Sequence, residues 1–297
     1  VRMNTVVKNI LLTPFNILYR INPSLNLKLL FLIKCHYRLN LQHPVTYNEK
    51  LQWIKLYERN PIMPKCADKY TVRQYVESRG CGNILNELIW QGFNPEDIPF
   101  DSLPKRCVIK VTHGSTFNII CKDITTLNRA KTISMLKRWL KVKFLPCYGE
   151  WFYGIERPRI IVEKYLQNSA DDDRLDDYKV YCFNGIPRYI SVDSGRNTRK
   201  HYKNIYNTKW ELQKDYRMAY PCNNIEQPAP KCLEEMLKYA EILSADFYHA
   251  RVDFYVVDDK PVFGEITFTN SAGFGKVLPY EFEKAMGDYL KLPCDNR

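Results

Sequence analysis

The chain has 297 residues, 45% hydrophobic and 26% charged, with 12 Gly and 17 Pro, which excludes collagenous, low-complexity and wholly disordered readings. It is long enough to bury a substantial core without staples. Lysine and arginine number 44 against 33 acidic residues, a formal net charge of +11, so an anionic partner is expected.

Residues 1–40 hold Arg2, Lys8, Arg20, Lys28, Lys34 and Arg38 and no acid. Such an arm suits a phosphate, a uronic acid polymer, nucleic acid or an anionic membrane surface, or is merely a solvated helical face. The apolar stretch Asn9–Phe15 is interrupted by Pro14 and lacks a small-residue cleavage site, so it reads as part of the protein; basic groups beside Leu, Ile and Phe would also suit an interfacial helix. The longest pure apolar run, Leu29–Ile33, is far too short to span a bilayer.

Thr46 and Glu49 form a T-x-x-E capping box, and Leu51, Trp53, Ile54, Leu56 and Tyr57 follow at helical spacing, which predicts a helix over 46–57. A second helix is expected from Ala67 to Gly80, whose glycine can take the left-handed cap conformation. Beyond Pro104, residues 107–111 and 118–121 read as strands, 127–144 as a helix, 159–166 as a buried strand, and Asp171, Asp172 and Asp173 as its exit loop. Asn184-Gly185 marks a hairpin between 178–183 and 188–192. A helix over 233–243 precedes two strands, 250–256 and 261–268, turning at Asp258-Asp259. This order indicates an α+β or mixed α/β architecture. Ten cysteines occur without C-x-x-C or zinc spacing, several within apolar runs, which fits reduced core thiols and a cytoplasmic location.

Ionic groups inside apolar strands are costly unless paired or liganded, which singles out Lys110, Lys179, Asp253 and Glu265. The two-residue period of a strand puts Arg251 with Asp253, and Glu265 with Thr267, away from Val252, Phe254, Ile266 and Phe268. Paired carboxylates share a proton, hold a divalent metal or brace a structural ion network, and spacing alone does not choose among these. Lysines elsewhere favour magnesium and a polyphosphate as one reading and an ion network as the other. The loop from Thr112 to Asn118 either lays amides over phosphates or is a plain turn with one glycine.

Taken in order, these segments resemble the TupA-like branch of the ATP-grasp superfamily, over about residues 36–292. The resemblance rests on Tyr37-Arg38-Leu39-Asn40, the run from Pro44 to Trp53, Ala67-Asp68-Lys69-Tyr70 and Ile109 to Ser115. It continues through Glu163-Lys164-Tyr165-Leu166, Asp177 to Gly185, Arg251 to Tyr255 and Gly264 to Thr269. It implies an α+β fold in which two lobes, residues 101–166 and 167–297, clasp ATP behind a mainly helical region of residues 1–100. It further implies that Lys69 and Lys110 hold phosphates under a loop containing His113, Gly114 and Ser115. Glu163, Lys164, Tyr165 and Leu166 would line the adenine and ribose, and Lys179 would lie near the transferred phosphate. Asp253 and Glu265, with Thr267 and Asn270, would bind Mg2+. Arg251, Lys179, His113 and Ser115 would be catalytic.

The implied reaction is ATP-dependent amide formation through an acyl phosphate, joining the carboxylate of an acidic sugar or acidic polymer to an amino acid or other amine in cell-surface polysaccharide assembly. A nucleotide-binding scaffold of that assembly is the alternative. Contact with the inner membrane surface is compatible with the basic arm, and no nucleic acid is expected. The branch usually reads His-Gly-Ser-Gly-Gly-Asn in its phosphate loop; here Thr116 and Phe117 replace both later glycines, stiffening the backbone and adding bulk. Thr267 replaces the superfamily's usual metal-binding Asn, as is common in this branch. Variable loops at 196–201 and 270–276 are expected to recognise substrate.

Overall fold

The computed structural model describes residues 5–167, 175–194 and 201–293. The aspartates at 171–173 and most of the 196–201 loop lie outside the described residues, as does Cys294. The chain opens with α1 (Thr5–Ile21) and α2 (Pro23–Cys35). Pro14 sits inside α1, and Asn22 starts α2 by accepting the Leu25 N–H at 2.9 Å. In α3 (Tyr47–Tyr57) the expected capping box is present: Thr46 Oγ1 accepts the Glu49 amide, and Glu49 Oε2 accepts the Thr46 amide.

The helix expected from Ala67 to Gly80 is instead two, α4 (Met63–Ala67) and α5 (Val72–Ser78). Asp68 separates them because its Oδ1 accepts the amides of Tyr70 (2.9 Å) and Thr71 (3.1 Å), a local bond that competes with the helix ladder. Gly80 does take a positive φ of 71°.

A four-stranded antiparallel sheet comprises β1 (Leu88–Gly92), β2 (Cys107–Val111), β3 (Asn118–Cys121) and β4 (Ile160–Lys164), in spatial order β1-β4-β2-β3. β1 was not anticipated, and it draws part of the first hundred residues into this sheet. Alternation in β2 buries Cys107, Ile109 and Val111 in the same cluster as Leu136 of α6 (Arg129–Leu140). That helix ends four residues before the predicted Phe144.

The second sheet is five-stranded and antiparallel: β5 (Asp177–Phe183), β6 (Ile186–Ser194), β7 (Tyr202–Asn207), β9 (His249–Val257) and β10 (Lys260–Thr267), in order β10-β9-β5-β6-β7. The short strands β8 (Arg217–Met218) and β11 (Val277–Leu278) pair separately. Asn184 (φ 48°) and Gly185 (φ 80°) turn β5 into β6, and Asp258 (φ 50°) and Asp259 (φ 61°) turn β9 into β10. One face of this sheet meets α7 (Leu233–Ser244), where Cys182 lies against the Ala240 carbonyl. The other meets α3 and α8 (Tyr280–Tyr289) through Tyr47, Phe183 and Tyr289. The nine described cysteines are free thiols, eight of them buried.

One irregularity positions the chemistry. A strict two-residue turn with unbroken pairing would set Asp253 opposite Gly264 and leave Glu265 on the α7 face. The register shifts between Phe263 and Glu265, so Gly264 is an extra residue and Glu265 pairs with Asp253. A Cβ on Gly264 would lie 3.0 Å from the Asp253 carbonyl oxygen, which is why glycine stands at this bulge.

Candidate active site

Between the two sheets lies a cleft of about 250 Å³. Its walls come from five places: Asp68 and Lys69 between α4 and α5; His113, Gly114 and Ser115 after β2; Phe144, Glu150 and Tyr153; Arg251, Glu265 and Thr267 of the final hairpin; and Thr269, Ser271 and Ala272 beyond it. The turn made by Asp68 projects Lys69, whose amide donates to the Thr112 carbonyl at 3.2 Å and thereby ties it to the end of β2.

Arg251 organises the hairpin side. Its Nε and Nη2 donate to the two oxygens of Asp253 at 2.7 Å each, a bidentate pair. Nη2 also donates to Thr267 Oγ1 at 3.1 Å and lies 3.5 Å from Glu265 Oε1, while Nη1 donates to Asn270 Oδ1 at 2.8 Å. The four oxygen-bearing residues expected to bind metal therefore converge on one cation. Glu265 Oε2 is 3.3 Å from Lys69 Nζ. Burial pushes the Asp253 carboxyl up to about 6, opposed by Arg251 and Lys179. On Glu265 burial acts in the same sense but is overcome by Lys69 and Arg251, which hold it down at about 2.

This donor set fits magnesium. Two carboxylates, a hydroxyl and an amide carbonyl are hard oxygen ligands, already arranged about positive charge. Among the described residues no group of three or more His, Cys, Asp or Glu is placed to hold an ion.

The other sequence-predicted residues are distributed around the cleft and do not line it. Lys110 Nζ donates to Glu163 Oε2 at 2.5 Å, and Arg73 is 3.6 Å from Glu163 Oε1. Lys164 is exposed near Glu87, Tyr165 lies under the Arg106 guanidinium at 4.2 Å, and Leu166 is half-buried. Lys179 is buried on β5 opposite Asp253, ion-paired with Asp177 and, at 2.8 Å, with Asp193. Asp193 in turn meets His201 and Lys203. Lys179 is thus enclosed by carboxylates, with Asp253 linking it to the cleft.

In the loop after β2, His113 is buried with Nε2 donating to the Val142 carbonyl at 2.8 Å. Thr116 adopts φ 66°, a glycine-like conformation that strains a β-branched residue. The Phe117 ring does not fill the cleft; it stacks on Trp139 of α6 at 5.3 Å and covers Gly114, where an added Cβ would lie 2.2 Å from the ring. Phe117 therefore fastens the loop to the small sheet's core.

Sequence reasoning missed Phe144, Glu150 and Tyr153, for which no pattern gave a signal. It also assigned no role to α3. Asn48 Nδ2 donates to the Gly275 carbonyl at 2.8 Å, Gln52 Nε2 to Gly273 at 2.5 Å, and Lys55 Nζ to Tyr148 and Ala272 at 2.7 Å each. Spaced at i, i+4 and i+7, they form one polar helix face that grips the loop after β10. Within it Ser271 (φ 51°), Ala272 (φ 56°) and Gly273 (φ 69°) are consecutively left-handed. Burial lowers Lys55 to about 7, with Glu150 opposing that shift.

Two antiparallel sheets thus face each other across a cleft carrying cations, carboxylates and a small-residue loop. The model of the family described as "TupA-like ATPgrasp" matches residues 49–291. The chain belongs to the TupA-like ATP-grasp family. Its α+β architecture is the ATP-grasp fold of that family. A comparison with curated proteins returned no match. Among solved structures, this TupA-like chain is similar to D-alanine–D-alanine ligase from Bacillus anthracis complexed with ATP, at 19% identity and TM-score 0.39, covering 68% of this chain and 55% of that one. It is also similar to L-amino acid ligase from Bacillus licheniformis, at 12% identity and TM-score 0.46, covering 79% and 51%. A third is D-alanine–D-alanine ligase from Helicobacter pylori, at 11% identity and TM-score 0.45, covering 84% and 67%. The chain spans 55% of the first of these ligases.

Proposed function

We propose that this TupA-like protein is an ATP-dependent carboxylate–amine ligase, with residues 101–166 and 167–297 as the two clasping lobes. The observation that carries the reading is the meeting of Lys69, the His113–Ser115 loop, Arg251 and Glu265 around one cleft. Lys69 and Lys110 take the phosphates, with Glu163 to Leu166 toward the adenine and ribose. Glu265 and Asp253, with Thr267 and Asn270, hold magnesium, which supplies charge neutralisation at the phosphates. A substrate carboxylate oxygen attacks the γ-phosphorus; the bond to the bridging oxygen breaks and ADP leaves. An amine then attacks the acyl carbon and inorganic phosphate departs. Negative charge builds on phosphoryl oxygens and then on the acyl oxygen, so Arg251, Lys179, His113 and Ser115 act by position and electrostatics.

The excess basic charge supports an acidic sugar or acidic polymer as the carboxylate donor and an amino acid as the amine. Assembly of a cell-surface polysaccharide on the cytoplasmic side, near the membrane, is the setting that suits these substrates. ADP release that requires both a uronic acid or acidic peptide and an amine, with hydroxylamine trapping the activated acid, tests the reading. No release across a broad panel of such acids contradicts it. A second reading, a nucleotide-binding scaffold, is favoured by the anchored loop at Thr116 and Phe117. It predicts tight ATP binding without turnover.

A further inference from the structure

The helical hairpin of α1 and α2 lies ahead of the family-matched residues 49–291 and bears an apolar surface that the rest of the described fold leaves bare. On α1, Leu11, Ile17 and Ile21 are 58, 55 and 76% exposed and, with exposed Pro14, lie along one stripe. On α2, Leu25, Leu29 and Leu32 repeat at i, i+4 and i+7 and are also exposed, with Ile33 beside them. This short region holds more than a third of the exposed large apolar side chains among the described residues. The opposite face is anchored. Leu27, Leu30 and Phe31 are buried, Asn26 donates to the Cys147 carbonyl at 2.7 Å, and Asn16 accepts the Cys147 amide at 3.0 Å. Cys147 lies just ahead of Glu150 and Tyr153 in the cleft wall.

We propose that this hairpin seats on the anionic surface of a phospholipid bilayer. Its leucines and isoleucines would enter the acyl boundary, and exposed Arg20, Lys28 and Arg38 would meet the headgroups. Residues 1–48 hold no Asp or Glu, so no carboxylate among them opposes the negative surface. A polyanionic glycan would answer the charge but not the bare aliphatic stripe. A second copy would bring like charge against like. The anchorage at Cys147 then holds the cleft beside the membrane. Seating on the membrane does not depend on ligase activity in the cleft.

The test is co-sedimentation of the full chain with vesicles of mixed phosphatidylglycerol and phosphatidylcholine, and with phosphatidylcholine alone. Binding to the anionic vesicles, weakened by salt, is expected, with about tenfold or greater loss in the double variant Leu25→Glu, Leu29→Glu. Lys28→Gln with Arg38→Gln should weaken binding to anionic vesicles only, which keeps the test decisive if the first variant folds poorly. ATP affinity, measured in parallel, should be unchanged in both. Failure of the native chain to bind anionic vesicles overturns the proposal. So does binding that neither variant reduces, or self-association through the same residues without vesicle binding.

Discussion

Glu265 faces Asp253 across the final hairpin only because Gly264 is an extra residue in its strand. Gly264→Val would press a side chain against the Asp253 carbonyl, 3.0 Å from the Cβ position, and is expected to cost about 1–3 kcal/mol. Deleting Gly264 would remove the bulge and restore plain pairing with Glu265 still opposite Asp253. Thermal melts together with calorimetric titration of ATP and magnesium check this. The deletion variant should keep magnesium-dependent binding, whereas the valine variant should weaken it along with the fold.

The grip of α3 on the loop after β10 gives a second prediction. Lys55→Met keeps the buried shape but removes the donor to the Tyr148 and Ala272 carbonyls, a loss of about 1–3 kcal/mol. The left-handed run at Ser271 and Ala272 would relax. Steady-state kinetics should show KM for the carboxylate or amine rising about tenfold, with ATP affinity nearly unchanged.

The anchored loop after β2 gives a third. Thr116→Gly should relieve strain at φ 66° and stabilise the fold by about 1 kcal/mol. Phe117→Ala removes the ring stacked on Trp139 and should destabilise by about 3 kcal/mol while making the loop more protease-sensitive. Limited proteolysis with and without ATP distinguishes the two variants.

His249 supplies the pH dependence. Its Nδ1–H donates to the Phe268 carbonyl and its Nε2 accepts from Tyr47, so the ring is neutral in the fold. Burial lowers it from 6.5 to about 4, against the Phe268 bond, which favours the charged ring. The unfolded chain therefore takes up the proton first. Stability is full above pH 6.5 and falls as pH drops toward 4, by about 3 kcal/mol in all. Denaturation of His249→Asn should lack this component, and an unchanged acid slope would contradict the assignment.

Much of this was legible in the sequence. The capping box at Thr46 and Glu49, the Asn184-Gly185 turn and the final hairpin are local signals, and local signals survive folding. The α4–α5 break was missed because the Asp68 side chain outcompeted the helical pattern. β1 has only half-buried or exposed residues and gave no alternation to read. The site was visible as ionic residues in apolar strands. What joins them was not, because the Gly264 bulge, Arg251 as hub and the reach of α3 to residues 272–275 depend on register and long-range packing.

On the proposed reading, a magnesium–nucleotide complex sits between Lys69, the His113–Ser115 loop and Glu265. Calorimetric titration of ATP with and without magnesium, on the native chain and on Glu265→Gln, decides whether it does. Binding should be tight with magnesium, weak without it, and at least about tenfold weaker in the variant. Affinity unaffected by magnesium or by the substitution, or no binding at all, would contradict it.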